Sequence, residues 1–300
     1  MKINDKFKGS FFGILAATTY GMNPLFGLPL YQRGLSTGSV LVYRFSFALI
    51  LLGLIMFFRK LPFKMERKQL PLMVCCGILL ALSCLFLFLS FHHIDGGIAA
   101  TILFVYPVMV CVIMFLFFHV RQSPATLVGM GSAIGGIALL SLGKGVEDFN
   151  FIGLVFVLLS ALTYAVYMVM VKVSSLKDLK AETLTFYAML FGLLVFLLAL
   201  RGGSDLQKLP DLFSLGCALG LALFPSLCSF LFMAIAIQYI GPTKTAILGA
   251  LEPVTALLIG RVVFGENLSW QQIIAVFVIL GSVTVVVTSK PPVSAKQCRE

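Results

Sequence analysis

Apolar stretches of about twenty residues, separated by short polar segments, fill almost the whole of this 300-residue chain. They fall at about 9–31, 39–58, 69–91, 97–118, 123–143, 150–173, 181–200, 212–237, 243–264 and 269–288. Each is long enough for a helix to cross a hydrocarbon core of roughly 30 Å. The pattern predicts an all-α membrane protein with ten transmembrane helices. Lys2, Lys6 and Lys8 before the first stretch resemble the basic start of a signal peptide, but no small-residue cleavage site follows. The first stretch is therefore expected to stay as an uncleaved helix.

Charge then orients the spans. Of the 22 Lys and Arg residues, sixteen lie between or beyond spans on the side shared by the N-terminus, the 59–68 and 172–180 segments and the C-terminus. Five lie on the other side, namely Arg33, Lys144, Arg201, Lys208 and Arg261, and Arg44 lies inside a span. By the positive-inside rule both termini are expected in the cytoplasm. A net charge of +10 would suggest nucleic acid in a soluble protein. With 60% hydrophobic residues it reports topology and attraction to anionic lipid instead, so a lipid bilayer and no nucleic acid is the expected partner. Six of the seven cysteines lie in apolar runs and Cys298 near the C-terminus, with no metal spacing, so free thiols are expected.

The chain also repeats itself. A shift of 144 places Gly9, Phe12, Leu15, Ala17, Thr19 and Tyr20 on Gly153, Phe156, Leu159, Ala161, Thr163 and Tyr164. A shift of 146 places Ser83, Phe86, Ile94, Ala100, Pro107, Val108, Phe118 and Gly135 on Ser229, Phe232, Ile240, Ala246, Pro253, Val254, Phe264 and Gly281. Five spans per half is an odd number, so the halves are expected as inverted repeats, an arrangement that puts a binding site near the midplane. That points to transport.

Glu252, followed by Pro253, sits inside a span, where an ionisable residue is costly and marks a functional site. Arg44 in the second span is expected at a similar depth and is a candidate partner for it, directly or through substrate. These two positions break the symmetry, because Arg44 aligns with Ala188 and Glu252 with Tyr106. Pro24 and Pro29 should bend the outer half of the first span, making Tyr20 and Asn23, with Thr163 and Tyr164 in the second half, candidate cavity residues. Pro107 and Pro253 should kink the fourth and ninth spans at matching points. Gly9, Gly13, Ala17 and Gly21, and the pairs Gly131/Gly135 and Gly216/Gly220, read as close-packing stripes. His92, His93 and Asp95 read as polar residues of an outer turn.

The residues LEPVTALLIGRVVFGENLSWQQIIAVFVILGSV (251–283), with Arg44 in VYRFSFALILL and the Tyr106-Pro107 pair, resemble the EamA family of the drug/metabolite transporter superfamily. The resemblance covers about 10–142 as a first repeat and 152–288 as a second. It includes the family's Gly-Glu turn at Gly265 and Glu266, which His119-Val120 replaces in the first half. It implies a multi-pass carrier of the cell membrane that exports small metabolites such as amino acids or related compounds. No P-loop is present, so alternating access coupled to protons, with a small molecule as substrate and no cofactor, is expected. The alternative, a polytopic enzyme acting on lipid or peptide, lacks any H-E-x-x-H or G-x-S-x-G motif. Neither catalytic nor metal-binding residues are expected.

Overall fold

The computed structural model describes residues 3–90, 93, 99, 102–141, 150–263, 269–289 and 293–294. The described residues are almost entirely helical. The helices are α1 (Ile3–Tyr20), α2 (Asn23–Gln32), α3 (Thr37–Phe58), α4 (Leu70–Ser90), α5 (Tyr106–Phe118), α6 (Pro124–Ser141) and α7 (Phe151–Val173). They continue with α8 (Ala181–Ala199), α9 (Leu212–Leu221), α10 (Ser229–Ile240), α11 (Pro242–Leu248), α12 (Leu251–Val263) and α13 (Trp270–Thr288). A π-helical segment, Ala222–Cys228, joins α9 to α10 without a break. Among the described residues, seven helical segments are long and apolar enough to cross a membrane, and Tyr106–Phe118 and Pro124–Leu139 are shorter apolar helices. Large apolar side chains such as Val262 and Trp270, 81% and 80% exposed, cover the outside, as a hydrocarbon solvent allows.

Polar side chains set the helix ends. Ser36, Asn150 and Asp211 accept from Ser39, Ile152 and Ser214 backbone N–H groups at the starts of α3, α7 and α9. Ser269 and Gln272 form a capping box at the start of α13. At its other end Lys244 Nζ donates to Ser289 O (2.8 Å) and Lys6 Nζ to Thr288 O (2.9 Å), placing cations on carbonyls that the helix leaves unpaired. A two-residue antiparallel bridge, β1 (Val120–Arg121) with β2 (Val293–Ser294), joins the turn after α5 to the C-terminal segment. His119 closes α5 in the left-handed conformation (φ 53°), a geometry that glycine adopts more cheaply.

The long helices pack across the chain's midpoint: α1 runs along α10, α4 along α7 and α8, α3 along α8, and α6 along α13. Several bonds recur at the offsets found in the sequence. Tyr43 Oη donates to Gln207 O (2.8 Å) and Tyr187 Oη to Phe63 O (2.9 Å), with both partners 144 residues apart. Ser160 Oγ donates to Ser83 O (2.8 Å) between α7 and α4, and Ser229 Oγ to Ala16 O (3.0 Å) between α10 and α1.

The small-residue stripes are only partly as expected. An added Cβ on Gly9 or Gly13 would meet Ile240 or Leu248, so this stripe is a close contact of α1 with α10 and α11. Gly131, Gly135 and Gly216 instead face open space; on α6 it is Gly129 and Gly136 that press on Val286 and Ile279 of α13. His92, Asp95, Gly265 and Glu266 lie outside the described residues.

Candidate functional site

Three interruptions of helical geometry meet near the centre of the molecule. The first follows Tyr20, where Gly21 and Met22 form a turn before α2. Gly21 is needed there, since a Cβ would lie 2.5 Å from Glu252 O and 2.7 Å from Thr255 Cβ. The second is the Gly249–Ala250 turn between α11 and α12, which leaves Glu252 and Pro253 in the first turn of α12. The third is the π-helical segment. Pro225 has no N–H to donate to Leu221 O, and Ser226 Oγ takes its place at 3.0 Å. A fourth turn, Phe104–Val105, precedes α5, one residue from the place that the 146-residue shift gives for Gly249–Ala250. Pro107 and Pro253 thus stand just after the breaks, in first turns where the missing proline N–H costs no intrahelical hydrogen bond.

Between these breaks lies a narrow cavity of about 10 Å³, the space of about one water molecule. Tyr20, Tyr106, Tyr164 and Phe230 form its aromatic wall, Leu80, Leu87 and Leu103 its aliphatic wall, and Ser83, Cys84 and Glu252 complete it. Tyr106 and Tyr164 meet edge to face at 5.1 Å, and Tyr106 Oη donates to Ala246 O (3.0 Å) in the last turn of α11. Gly249 permits this approach, because a Cβ there would collide with the Tyr106 hydroxyl.

Arg44 does not line the cavity. It is fully buried behind Tyr20 and Phe230, whose ring centres each lie 5.6 Å from the guanidinium carbon. Its Nε donates to Ser226 Oγ (2.5 Å), Nη1 to Asn23 Oδ1 (3.0 Å) and Nη2 to Pro225 O (3.0 Å). Of the two forms of pairing considered for Arg44 and Glu252, the direct one is not formed: none of the ion pairs among the described residues contains either residue. The guanidinium is occupied by the backbone and side chains of the π-helical bend. Asn23 is likewise drawn into this network, donating to Tyr20 O (2.8 Å). Thr163 lies elsewhere, its hydroxyl donating back to Leu159 O and Ser160 O on its own helix. The structure therefore gathers Tyr20, Tyr106, Tyr164 and Glu252 at one cavity, sets Arg44 and Asn23 behind it, and leaves Thr163 out. Phe230, the three leucines, Ser83 and Cys84 were not expected at the site; apolar residues in an apolar background carry no sequence signal.

Apolar helices broken beside a half-buried carboxylate mark a multi-pass membrane protein, and broken helices of this kind are found in carriers. The EamA-like transporter family model matches the chain twice, over residues 7–142 and 151–288, and the chain belongs to that family. It is similar to the uncharacterized transporter YcbK of Bacillus subtilis (strain 168), with 24% identity over 91% of this chain and 90% of that protein. An uncharacterized transporter of Archaeoglobus fulgidus is 28% identical over 64% of this chain and 67% of its own length. A crystal structure of a protein with 16% identity shares the fold, with a TM-score of 0.80 over 92% of this chain and 95% of that one. The protein is thus a transporter-family protein of the cell membrane.

Proposed function

We propose that the chain is a secondary active transporter, not an enzyme, that exports small metabolites such as amino acids or related compounds by alternating access coupled to protons. In this reading ten transmembrane helices form two inverted five-helix halves, over about 10–142 and 152–288, with both termini in the cytoplasm. The single observation that carries it is the cavity lined by Tyr20, Tyr106, Tyr164 and Glu252, of which Tyr20, Tyr106 and Glu252 stand within two residues of the helix breaks at Gly21–Met22, Phe104–Val105 and Gly249–Ala250. The bonds of Tyr43 and Tyr187, recurring 144 residues apart, support the two-half division. Broken helices let one half rock against the other around a fixed site. Glu252 is the group that would carry a proton, and Tyr20, Tyr106 and Tyr164 those that would enclose the substrate. Arg44 would hold Tyr20 and the π-helical bend in place, and the breaks before Pro107 and Pro253 would serve as hinges.

The test is Glu252→Gln in proteoliposomes. The amide keeps the shape and cannot carry a proton, so transport driven by a pH gradient should vanish while part of the substrate exchange survives. Full gradient-driven transport by this variant would overturn the role given to Glu252.

A further inference from the structure

The same cavity says more about what it can hold. Among the described residues its wall carries one formally charged group, the Glu252 carboxylate, and four aromatic rings. Aromatic faces carry negative potential, and a carboxylate beside them deepens it. A pocket meant for a carboxylate or phosphate would be expected to present a guanidinium in its wall. The one guanidinium nearby is Arg44, which stands behind the wall with Ser226, Asn23 and Pro225 O as its partners. An anion could reach it only by displacing Tyr20 or Phe230 and breaking those bonds. Leu80, Leu87 and Leu103 face the same space and favour an apolar body. The cavity as it stands has room for about one water, so a bound molecule would take the place that the rings of Tyr106 and Tyr164 now fill against each other.

We infer that the substrate is an organic cation, an amine or quaternary ammonium on a small apolar body, held between the Glu252 carboxylate and the rings of Tyr20, Tyr106 and Tyr164. This rests on the cavity being the substrate site. It sets aside the amino acids among the metabolites proposed above and keeps the related compounds that carry an amine without a carboxylate.

The experiment uses the purified full-length protein and four probes with one body and different charge: trimethyl(2-phenylethyl)ammonium, 2-phenylethanol, 3-phenylpropionate and phenylalanine. Binding is read by calorimetric titration, and transport by counterflow in liposomes. The cation should bind at least about tenfold more tightly than the other three, the scale of a desolvated cation held by rings. Glu252→Gln should weaken it roughly tenfold without abolishing it, because the rings remain. Tyr164→Phe should bind almost as wild type and Tyr164→Leu distinctly less, each checked for its unfolding temperature, since the ring face and not the hydroxyl makes the contact. Tighter binding of 3-phenylpropionate or phenylalanine, or no binding of the cation to the folded protein, would overturn the inference. Counterflow of an anion or zwitterion alone would do so while leaving the transporter reading intact. Binding of the cation with no counterflow of any probe would uphold the site and overturn transport.

Discussion

Among the described residues Arg44 heads the fully buried side chains by volume, and the three hydrogen bonds of its guanidinium go to uncharged groups. A guanidinium in such a place fixes geometry, because its planar fork matches one arrangement of three acceptors. Arg44→Lys should therefore fail to substitute, leaving Asn23 Oδ1 or Pro225 O unpaired in a low-dielectric setting. Its cost should be roughly 3 kcal/mol, measured as lowered resistance to denaturant in detergent, with substrate preference unchanged in the folded fraction. A changed preference at unchanged stability would move Arg44 into the binding site. Of the residues at the cavity, Glu252, Tyr20, Tyr106 and Tyr164 were legible in the sequence as polar groups within apolar runs, whereas Phe230, Ser83 and Cys84 were not. The partner of Arg44 was not legible, because residue counting gives height in the membrane and not direction around the helix. Ser226 and Glu252 are both reachable by height, and only the Pro225 bend decides between them.

At the scale of elements, sequence located most helices within a few residues, since hydrophobic length is a strong signal. The segment expected at 39–58 is Thr37–Phe58, and that at 269–288 is Trp270–Thr288. Helix phase was the weak point. On α6 the stripe at Gly131 and Gly135 looked as good as any, yet the face turned to α13 holds Gly129 and Gly136. A helix that is apolar all round, half toward lipid and half toward protein, offers no polar face from which to read its rotation. Breaks were legible through proline only to within a few residues, because proline marks the first turn after a break and the turn itself is made by Gly249–Ala250 or Phe104–Val105. The loop ties give a direct test of equivalence between distant elements. Tyr43→Phe should loosen the 200–211 segment on α3, which Ser39 still holds through Gln207, and Tyr187→Phe the 59–69 segment on α8, which Thr183 still holds through Pro62. Each loss should be about 0.5–1 kcal/mol of stability, equal within error and additive in the double variant. Unequal losses would mean that the two ties are not counterparts.

For the whole molecule, the charge pattern makes a prediction about sidedness. Cysteines replacing Arg33 and Lys208 should react with an impermeant thiol reagent from outside intact cells, and cysteines replacing Lys64 and Lys177 only after lysis. The reverse pattern would invert the orientation proposed here. The contacts Ser160–Ser83 and Ser229–Ala16 have a further consequence at this scale. They are one junction made twice, since 83 and 229 differ by 146 and 16 and 160 by 144, with the hydroxyl supplied by α7 in one copy and by α10 in the other. In the two-half reading proposed above, each half offers its neighbour the same self-complementary seam, the geometry of a two-fold dimer joined by a linker. Covalent continuity at residues 142–149 should then be dispensable. Residues 1–145 and 146–300, expressed as separate polypeptides in one cell, should co-purify and transport together, whereas a tandem of two first halves would have the seam and lack the carboxylate that Glu252 contributes.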